Sequence, residues 1–250
     1  MADPTKQFKI ETIHPLELPG LGWDISFTNS SLWMVTGMVI SILFLAGGLS
    51  KKSMIPGRLQ YMAESMHQFV AHMIRENIGK EGMRYFPFIF TLFIFVLMGN
   101  LLGLIPFAFT YTSHIIVTLA LAMVVFFAVT IIGIARNGFA FFSLFCPPGV
   151  PFVLKFLVIP IEVLSFLIRP VTLSVRLFAN MMAGHLMLKV FAGFSVMMLG
   201  MGGAGLVAGL LPTAFNAAFI AFEFLIALVQ AYVFALLSCV YLRDTLDVHH

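Results

Sequence analysis

One arginine, Arg176, lies in the middle of an otherwise apolar stretch that runs from Leu173 to Asn180. The whole chain is 60% hydrophobic and only 10% charged, so this stretch belongs in a lipid bilayer. A charged side chain at mid-membrane depth costs roughly 3 kcal/mol on insertion scales, and such residues commonly mark ion pathways. Asn180 is four residues away and shares the helix face of Arg176. We therefore predict that Arg176 and Asn180 lie on an ion path.

Other ionisable residues recur along the same predicted helix. Steps of seven residues back from Arg176 reach Arg169 and then Glu162, which lie on nearly the same face. His185 follows Arg176 about 13.5 Å further along and half a turn around the helix, and Lys189 comes one turn later. The helix thus carries one polar stripe around Arg176 and a second around His185.

The last apolar segment repeats this arrangement, because Asn216, Glu223 and Gln230 follow one another at steps of seven. A glycine-rich turn precedes the segment, so the two helices form an antiparallel hairpin in which facing residue numbers add to about 406. Arg176 with Gln230 gives this sum, and His185 with Glu223 comes within two of it. We predict that each pair lies at one depth.

Each of these polar residues also has a structural interpretation. His185 and Glu223 could form a buried pair that only fixes the register of two helices. The amide side chains could join helices, and the remaining cations could extend to lipid headgroups. The amide side chains are those of Asn180, Asn216 and Gln230, and the cations are Arg169 and Lys189.

Composition excludes several other classes of protein. The mean hydropathy of +1.03 and the long uncharged runs predict an all-α polytopic membrane protein. Basic residues are scattered between apolar spans rather than gathered on one face, so we expect no nucleic-acid partner. Cys146 and Cys239 are far apart, so neither a disulfide framework nor a metal site is expected, and no cofactor is expected either.

The order of polar and apolar segments predicts the domain organisation. Residues 1–30 are polar and turn-rich and are expected to form an exposed N-terminal arm. Residues 31–250 form a single membrane domain with an N-terminal span, an interfacial amphipathic helix, a transmembrane hairpin and a two-helix hairpin. The predicted spans are about 31–50, 87–106 and 114–135, the amphipathic helix is 58–80, and the last two helices are 156–199 and 206–242.

The last two predicted helices are too long to cross a bilayer upright. Forty-odd helical residues extend roughly 65 Å at ~1.5 Å each, about twice the hydrocarbon thickness. We therefore expect both helices to be strongly tilted or kinked, with Pro160, Pro170 and Pro212 as possible kink points.

The distribution of positive charge predicts the topology. Loops 107–113 and 198–213 contain no lysine or arginine, whereas the other connections contain several. Positive residues favour the cytoplasmic side, so the N-terminus is expected outside and the C-terminus in the cytoplasm. The residues on the positive side are Lys51, Lys52, Arg58, Arg75, Lys80, Arg84, Arg136, Lys155 and Arg243.

Three motifs resemble subunit a of the rotary F-type ATP synthases. The first is the stretch from Leu173 to Asn180 with the following Gly184-His185, the second runs from Met98 to Pro106, and the third from Glu223 to Phe234. The resemblance extends over nearly the whole chain after the N-terminal arm.

The resemblance implies a role for each polar residue. In that family, the arginine matched by Arg176 faces a carboxylate of a rotating proteolipid ring, and the positions of Asn180 and Gln230 support it. The position of Glu162 belongs to the cytoplasmic access route for protons, and those of His185 and Glu223 line the outer route. Asn216 is also expected on the proton pathway.

The resemblance implies a stator subunit with two offset half-channels in a bacterial inner membrane, through which proton flow drives rotation of the c-ring and ATP synthesis. The expected partners are the c-ring proteolipid oligomer, peripheral-stalk b-type subunits and the soluble ATPase sector, together with lipid and protons. No phosphate-binding glycine loop is present in the sequence, so no catalytic site is expected on this chain.

Two alternative functions stay open from the residues alone. A proton-coupled secondary transporter would also hold arginine and glutamate in the membrane, but it should show a solute site at interrupted helices in two related halves. A haem-bearing respiratory subunit would need paired axial histidines on its spans, and the sequence does not offer them.

Overall fold

A computed structural model describes residues 12–14, 26–49, 56–105, 108–145, 152–200 and 204–246. The described residues form six α-helices, joined in places by short 3-10 helices. The α-helices are α1 (Asn29–Leu49), α2 (Arg58–Asn77), α3 (Phe86–Gly103), α4 (Ile115–Asn137), α5 (Phe152–Leu199) and α6 (Ala204–Leu246). The 3-10 helices are Lys80–Tyr85, Tyr111–Ser113 and Gly138–Phe145.

Five helical segments of the described chain are long and apolar enough to cross a membrane. Their most apolar windows have mean hydropathies between 1.9 and 3.0 and few charged residues. The predicted all-α polytopic membrane protein is therefore confirmed. The segments are Asn29–Leu49, Lys80–Gly103, Ile115–Asn137, Leu154–Leu199 and Val207–Leu246.

The longest helices extend beyond the ends that the sequence predicts. Helix α5 begins at Phe152 rather than 156, and α6 continues to Leu246 rather than 242. The apolar stretches stop at Lys155 and Arg243, but a charged residue in a terminal turn ends the apolar span without ending the helix. Helix α2 ends at Asn77, three residues before its predicted end.

The two long helices contain 48 and 43 residues. At ~1.5 Å per residue they are roughly 72 Å and 65 Å long, more than twice the ~30 Å hydrocarbon thickness. Helix α5 continues through Pro160 and Pro170, and α6 continues through Pro212. Helices of these lengths can fit within a bilayer only if they are strongly tilted or kinked, so the tilt stays a prediction.

The predicted N-terminal arm contains a short antiparallel strand pair that the sequence did not predict. Strand β1 (Thr12–His14) pairs with β2 (Phe27–Thr28), with Thr12 opposite Thr28. The other residues of the arm before Ser26 lie outside the described residues, as do Lys51, Lys52, Cys146 and the glycine-rich turn at 201–203.

Contacts divide the chain into two compact units. The first holds the described residues up to Phe44, together with Ile94–His114 and Leu177–Ala231. The second holds the described residues of Leu45–Phe93, Ile115–Arg176 and the end of α6 from Tyr232 onward.

In the first unit, residues 108–113 of the connection between α3 and α4 are buried. Tyr111 is 1% exposed and its hydroxyl donates to the Phe95 carbonyl oxygen at 3.1 Å. Its ring lies against Gly99, where any β-carbon would come within 2.8 Å of it. Burial raises the pKa of the Tyr111 phenol above its ordinary value, so this hydroxyl stays a neutral donor. The connection is thereby fixed to α3.

In the second unit, the apolar side chains of helix α2 are buried at one end of the helix and exposed at the other. Val70, Met73 and Ile74 are at most 3% exposed, whereas Leu59 and Met62 are more than half exposed. The Phe69 ring contacts the rings of Phe93 and Tyr232 within this unit. Helix α2 therefore has one broad apolar face, which is packed near Val70 and Ile74 and exposed nearer the start of the helix.

Candidate functional site

His185 and Glu223 are neighbours within the first unit, as the constant-sum argument predicts. His185 Nδ1 lies 3.5 Å from Glu223 Oε1, and the residues are 7% and 4% exposed. Neither carboxylate oxygen of Glu223 has a hydrogen-bond partner in the described part of the chain. A buried carboxylate without hydrogen bonds is costly to charge, so the proton content of Glu223 depends strongly on His185.

Gly184 explains how two antiparallel helices bring these side chains together. A β-carbon at Gly184 would come within 2.6 Å of Glu223 Oε1, so the carboxyl group occupies the space that a side chain would need. The Gly184-His185 dipeptide of α5 therefore provides both the space for the carboxyl group and the imidazole beside it.

Thr110 is a contact of His185 that the sequence did not indicate. Its Oγ1 lies 3.0 Å from His185 Nε2, on the side of the ring away from Glu223, and Thr110 is 3% exposed. Thr110 precedes the 3-10 helix Tyr111–Ser113 in the buried connection after α3. No charge or periodicity marks this threonine, because the contact depends on how the connection folds.

Four amide side chains of the first unit differ in their burial and contacts. Asn100 is fully buried and its Nδ2 donates to the Ala227 carbonyl oxygen at 3.3 Å, so this amide links α3 to α6. Asn216 is half-buried, and its Oδ1 has no hydrogen-bond partner among the described residues. Gln230 is 9% exposed and Asn180 is half-buried.

Arg176 is exposed on α5, whereas Leu173 and Leu177 on either side are 2% and 1% exposed. Val171 and Val175 lie on the exposed side with it and are 48% and 43% exposed. Arg176 makes no hydrogen bond or ion pair with the residues that the structure describes. Arg176 thus lies as an exposed cation among exposed apolar residues of α5.

The second unit contains an ion pair that the sequence analysis missed. Arg169 Nη1 donates to Asp244 Oδ2 at 2.8 Å, and its guanidinium lies 5.1 Å from the centre of the Tyr241 ring. Arg169 therefore pairs with a side chain of the protein and does not extend to lipid headgroups, which was its structural interpretation. Asp244 lies two steps of seven beyond Gln230, so the spacing of Asn216, Glu223 and Gln230 already indicated it.

Glu162 is half-buried near the beginning of α5 and makes no hydrogen bond or ion pair with the described residues. It shares its helix with Arg169 but lies two turns earlier. Among the predicted site residues of the first unit that the structure describes, His185 and Glu223 are the pair seen in side-chain contact.

The register of α5 and α6 can be tested by crosslinking. In a background without Cys146 and Cys239, His185→Cys with Glu223→Cys should form an efficient crosslink with a short bifunctional thiol reagent, because the native side chains are neighbours. The matched control pairs His185→Cys with Leu225→Cys, a position that is 56% exposed on another face of α6. More efficient crosslinking of the control would contradict the register.

Comparisons with known proteins indicate one family. The sequence profile of the family described as ATP synthase A chain matches residues 30–243. The chain is 50% identical over 249 residues to "ATP synthase subunit a" of Rhodospirillum rubrum, covering 100% of both chains. It is also 50% identical to the proteins of that name from Mesorhizobium japonicum, covering 99% of this chain and 98% of the relative, and Paramagnetospirillum magneticum, covering 100% of both.

The profile match extends from the start of the first span to the last turn of α6, and it includes every candidate site residue. This match, together with 50% sequence identity over the full length of a relative, identifies the architecture and the polar motifs as those of one family. The chain therefore belongs to the ATP synthase A chain family.

Proposed function

We propose that this chain is the proton-channel subunit of the stator in an F-type ATP synthase. It provides two offset half-channels that load protons onto a proteolipid ring and unload them, so that proton flow drives rotation and ATP synthesis. Phosphoryl chemistry takes place in the soluble ATPase sector and not on this chain.

The observation that carries this proposal is the exposed Arg176. A cation on an apolar membrane surface needs an anion, and no described residue of this chain supplies one. A ring of carboxylate-bearing subunits that moves past α5 would supply that anion at each step. A secondary transporter is less favoured, because it would have to neutralise Arg176 within its own chain or by substrate.

The proposed proton path begins at His185 and Glu223. A proton from outside passes this pair and neutralises a ring carboxylate, and the ring carries it through lipid to the route that contains Glu162. Asn180 and Gln230 support the arginine, and Asn216 lies on the outer route. The driving force is about 2.3 kcal/mol per proton for each 100 mV.

Arg176 separates the two routes by its charge. The guanidinium repels a proton that moves directly between the routes, and it favours the ionised form of an arriving ring carboxylate, which therefore releases its proton. The peripheral-stalk b-type subunits would keep the chain stationary. We place it in the bacterial inner membrane, with the N-terminus outside and the C-terminus in the cytoplasm, and with α5 and α6 strongly tilted.

Crosslinking from the Arg176 face tests the assembly. We expect Val175→Cys, in a background without native cysteines, to crosslink to a small proteolipid that co-purifies as an oligomer with a soluble ATPase in mild detergent. The matched control is Leu173→Cys, on the same helix but 2% exposed, which should give no such product. Isolation of an active chain without proteolipid or ATPase would contradict the proposed function.

A further inference from the structure

The side chain of Thr110 is held between a backbone carbonyl group and the imidazole of His185. Its Oγ1 lies 3.4 Å from the Gly103 carbonyl oxygen, to which it donates, and 3.0 Å from His185 Nε2. A β-carbon at Gly103 would come within 2.7 Å of this oxygen, so the hydroxyl group is packed closely against the end of α3. Burial leaves this hydroxyl little freedom to choose other partners.

The proton of the hydroxyl group decides which form of histidine fits beside it. A threonine hydroxyl has one hydrogen and can accept two hydrogen bonds. If that hydrogen is directed to the Gly103 carbonyl oxygen, the hydroxyl can only accept from His185 Nε2–H. Neutral His185 then carries its proton on Nε2 and presents the lone pair of Nδ1 toward Glu223.

We propose that Thr110 is a positioning residue that holds neutral His185 in the Nε2–H tautomer, so that Nδ1 alone gains and loses the transported proton. The inference rests on the proposed function for the transport role, whereas the tautomer follows from the contacts of Thr110. The imidazolium form also donates from Nε2, so the contact with Thr110 persists through both protonation states. The ring therefore need not turn over during transport.

The proposed proton transfer breaks the O–H bond of Glu223 and forms an N–H bond on His185. The lone pair of His185 Nδ1 takes the proton from Glu223 Oε1–H, leaving a carboxylate beside an imidazolium, and the reverse step restores both neutral groups. The resting distance of 3.5 Å is longer than a hydrogen bond, so the pair must approach or one water must bridge it. Lys189, one turn after His185, is a further charged group that acts on this imidazole.

Nitrogen-15 nuclear magnetic resonance of the intact complex, labelled in histidine, measures the tautomer directly. His185→Gln identifies the signal by removing it. At a pH where His185 is neutral, we expect the wild type to carry its proton on Nε2. A wild-type signal from the Nδ1–H tautomer would overturn the proposal. This readout does not require proton flux, so a failure of the proposed function is distinguishable from a failure of this inference.

Three threonine variants separate positioning from packing. Thr110→Val keeps the shape and removes the hydroxyl, and we expect about tenfold less proton flux, the size of one lost hydrogen bond, with a new Nδ1–H population. Thr110→Ser restores the hydroxyl and should return flux to within about twofold of wild type. The control is Thr112→Val, in the same connection, 1% exposed, with a hydroxyl that has no hydrogen-bond partner among the described residues.

Equal flux and an unchanged tautomer in Thr110→Val and Thr112→Val would overturn the proposal. Equal losses in Thr110→Val and Thr110→Ser would do the same, because they would assign the effect to the methyl group and packing. If Thr110→Val does not assemble, the wild-type tautomer and the Thr110→Ser variant still decide the question.

Discussion

Replacement of Arg176 by alanine is expected to reduce ATP-driven proton pumping and ATP synthesis by at least two orders of magnitude, while the complex still assembles. The cation that separates the proposed half-channels and favours the ionised ring carboxylate would be lost, and removal of one preorganised charge of this kind typically costs 10²–10³ in rate. Arg176→Lys should fail nearly as badly, because a compact ammonium lacks the planar, delocalised charge and can lose its proton when desolvated.

Pumping and synthesis would be measured in membrane vesicles that contain equal amounts of assembled complex. The control is Arg75→Ala, which removes an exposed cation from the last turn of α2. We expect near-normal pumping from this control. If Arg176→Ala pumped at a comparable rate, the central role of Arg176 would be wrong, whatever the fate of the outer proton pair.

Exchange of His185 and Glu223 is expected to restore more activity than either single change. Glu223→Gln keeps the shape of the side chain but removes its charge, so proton uptake from outside should slow by about a hundredfold, the lower end of the range for general acid–base groups. His185→Glu combined with Glu223→His keeps an acid and an imidazole in contact. A proton relay needs the pair and not its order, and its titration belongs to both groups together.

The measurement is proton flux through the membrane-bound complex between about pH 5.5 and 9, a range that includes the ordinary pKa of a free imidazole. The chain offers an exposed control pair, since His72 Nε2 and Glu76 Oε1 are 3.0 Å apart on α2. Single changes and exchange of that pair should leave flux unchanged. If the His185 and Glu223 variants also matched wild type, or if exchange were no better than the worse single change, the pair would be structural.

Periodicity explains why much of this arrangement could be predicted. Steps of seven gathered Asn216, Glu223 and Gln230 on one face, and the antiparallel hairpin placed Glu223 beside His185. Both signals arise within a helix or between two adjacent ones. The helix ends were less accurate, because loss of hydrophobicity and loss of helical hydrogen bonding occur at different residues in α5 and α6.

The contacts that sequence reasoning missed arise outside regular spacing. Thr110 reaches His185 only because the connection after α3 folds inward, and an uncharged loop gives no indication of that path. Asp244 lies beyond Leu242, where the long apolar stretch ends, although α6 and its seven-residue spacing both continue past that point. The first omission follows from tertiary folding, and the second from a boundary set by charge.

The outward-facing Arg176 also bears on biogenesis. A newly inserted chain would expose this cation to acyl chains until a carboxylate-bearing partner arrives, at a cost of roughly 3 kcal/mol on insertion scales. That cost is a substantial part of the free energy of unfolding of a typical folded protein. The unassembled subunit should therefore unfold locally more often and be cleaved more readily by membrane proteases. Assembly would then act as quality control, because subunits that have not bound their anionic partner would be degraded before they could conduct protons.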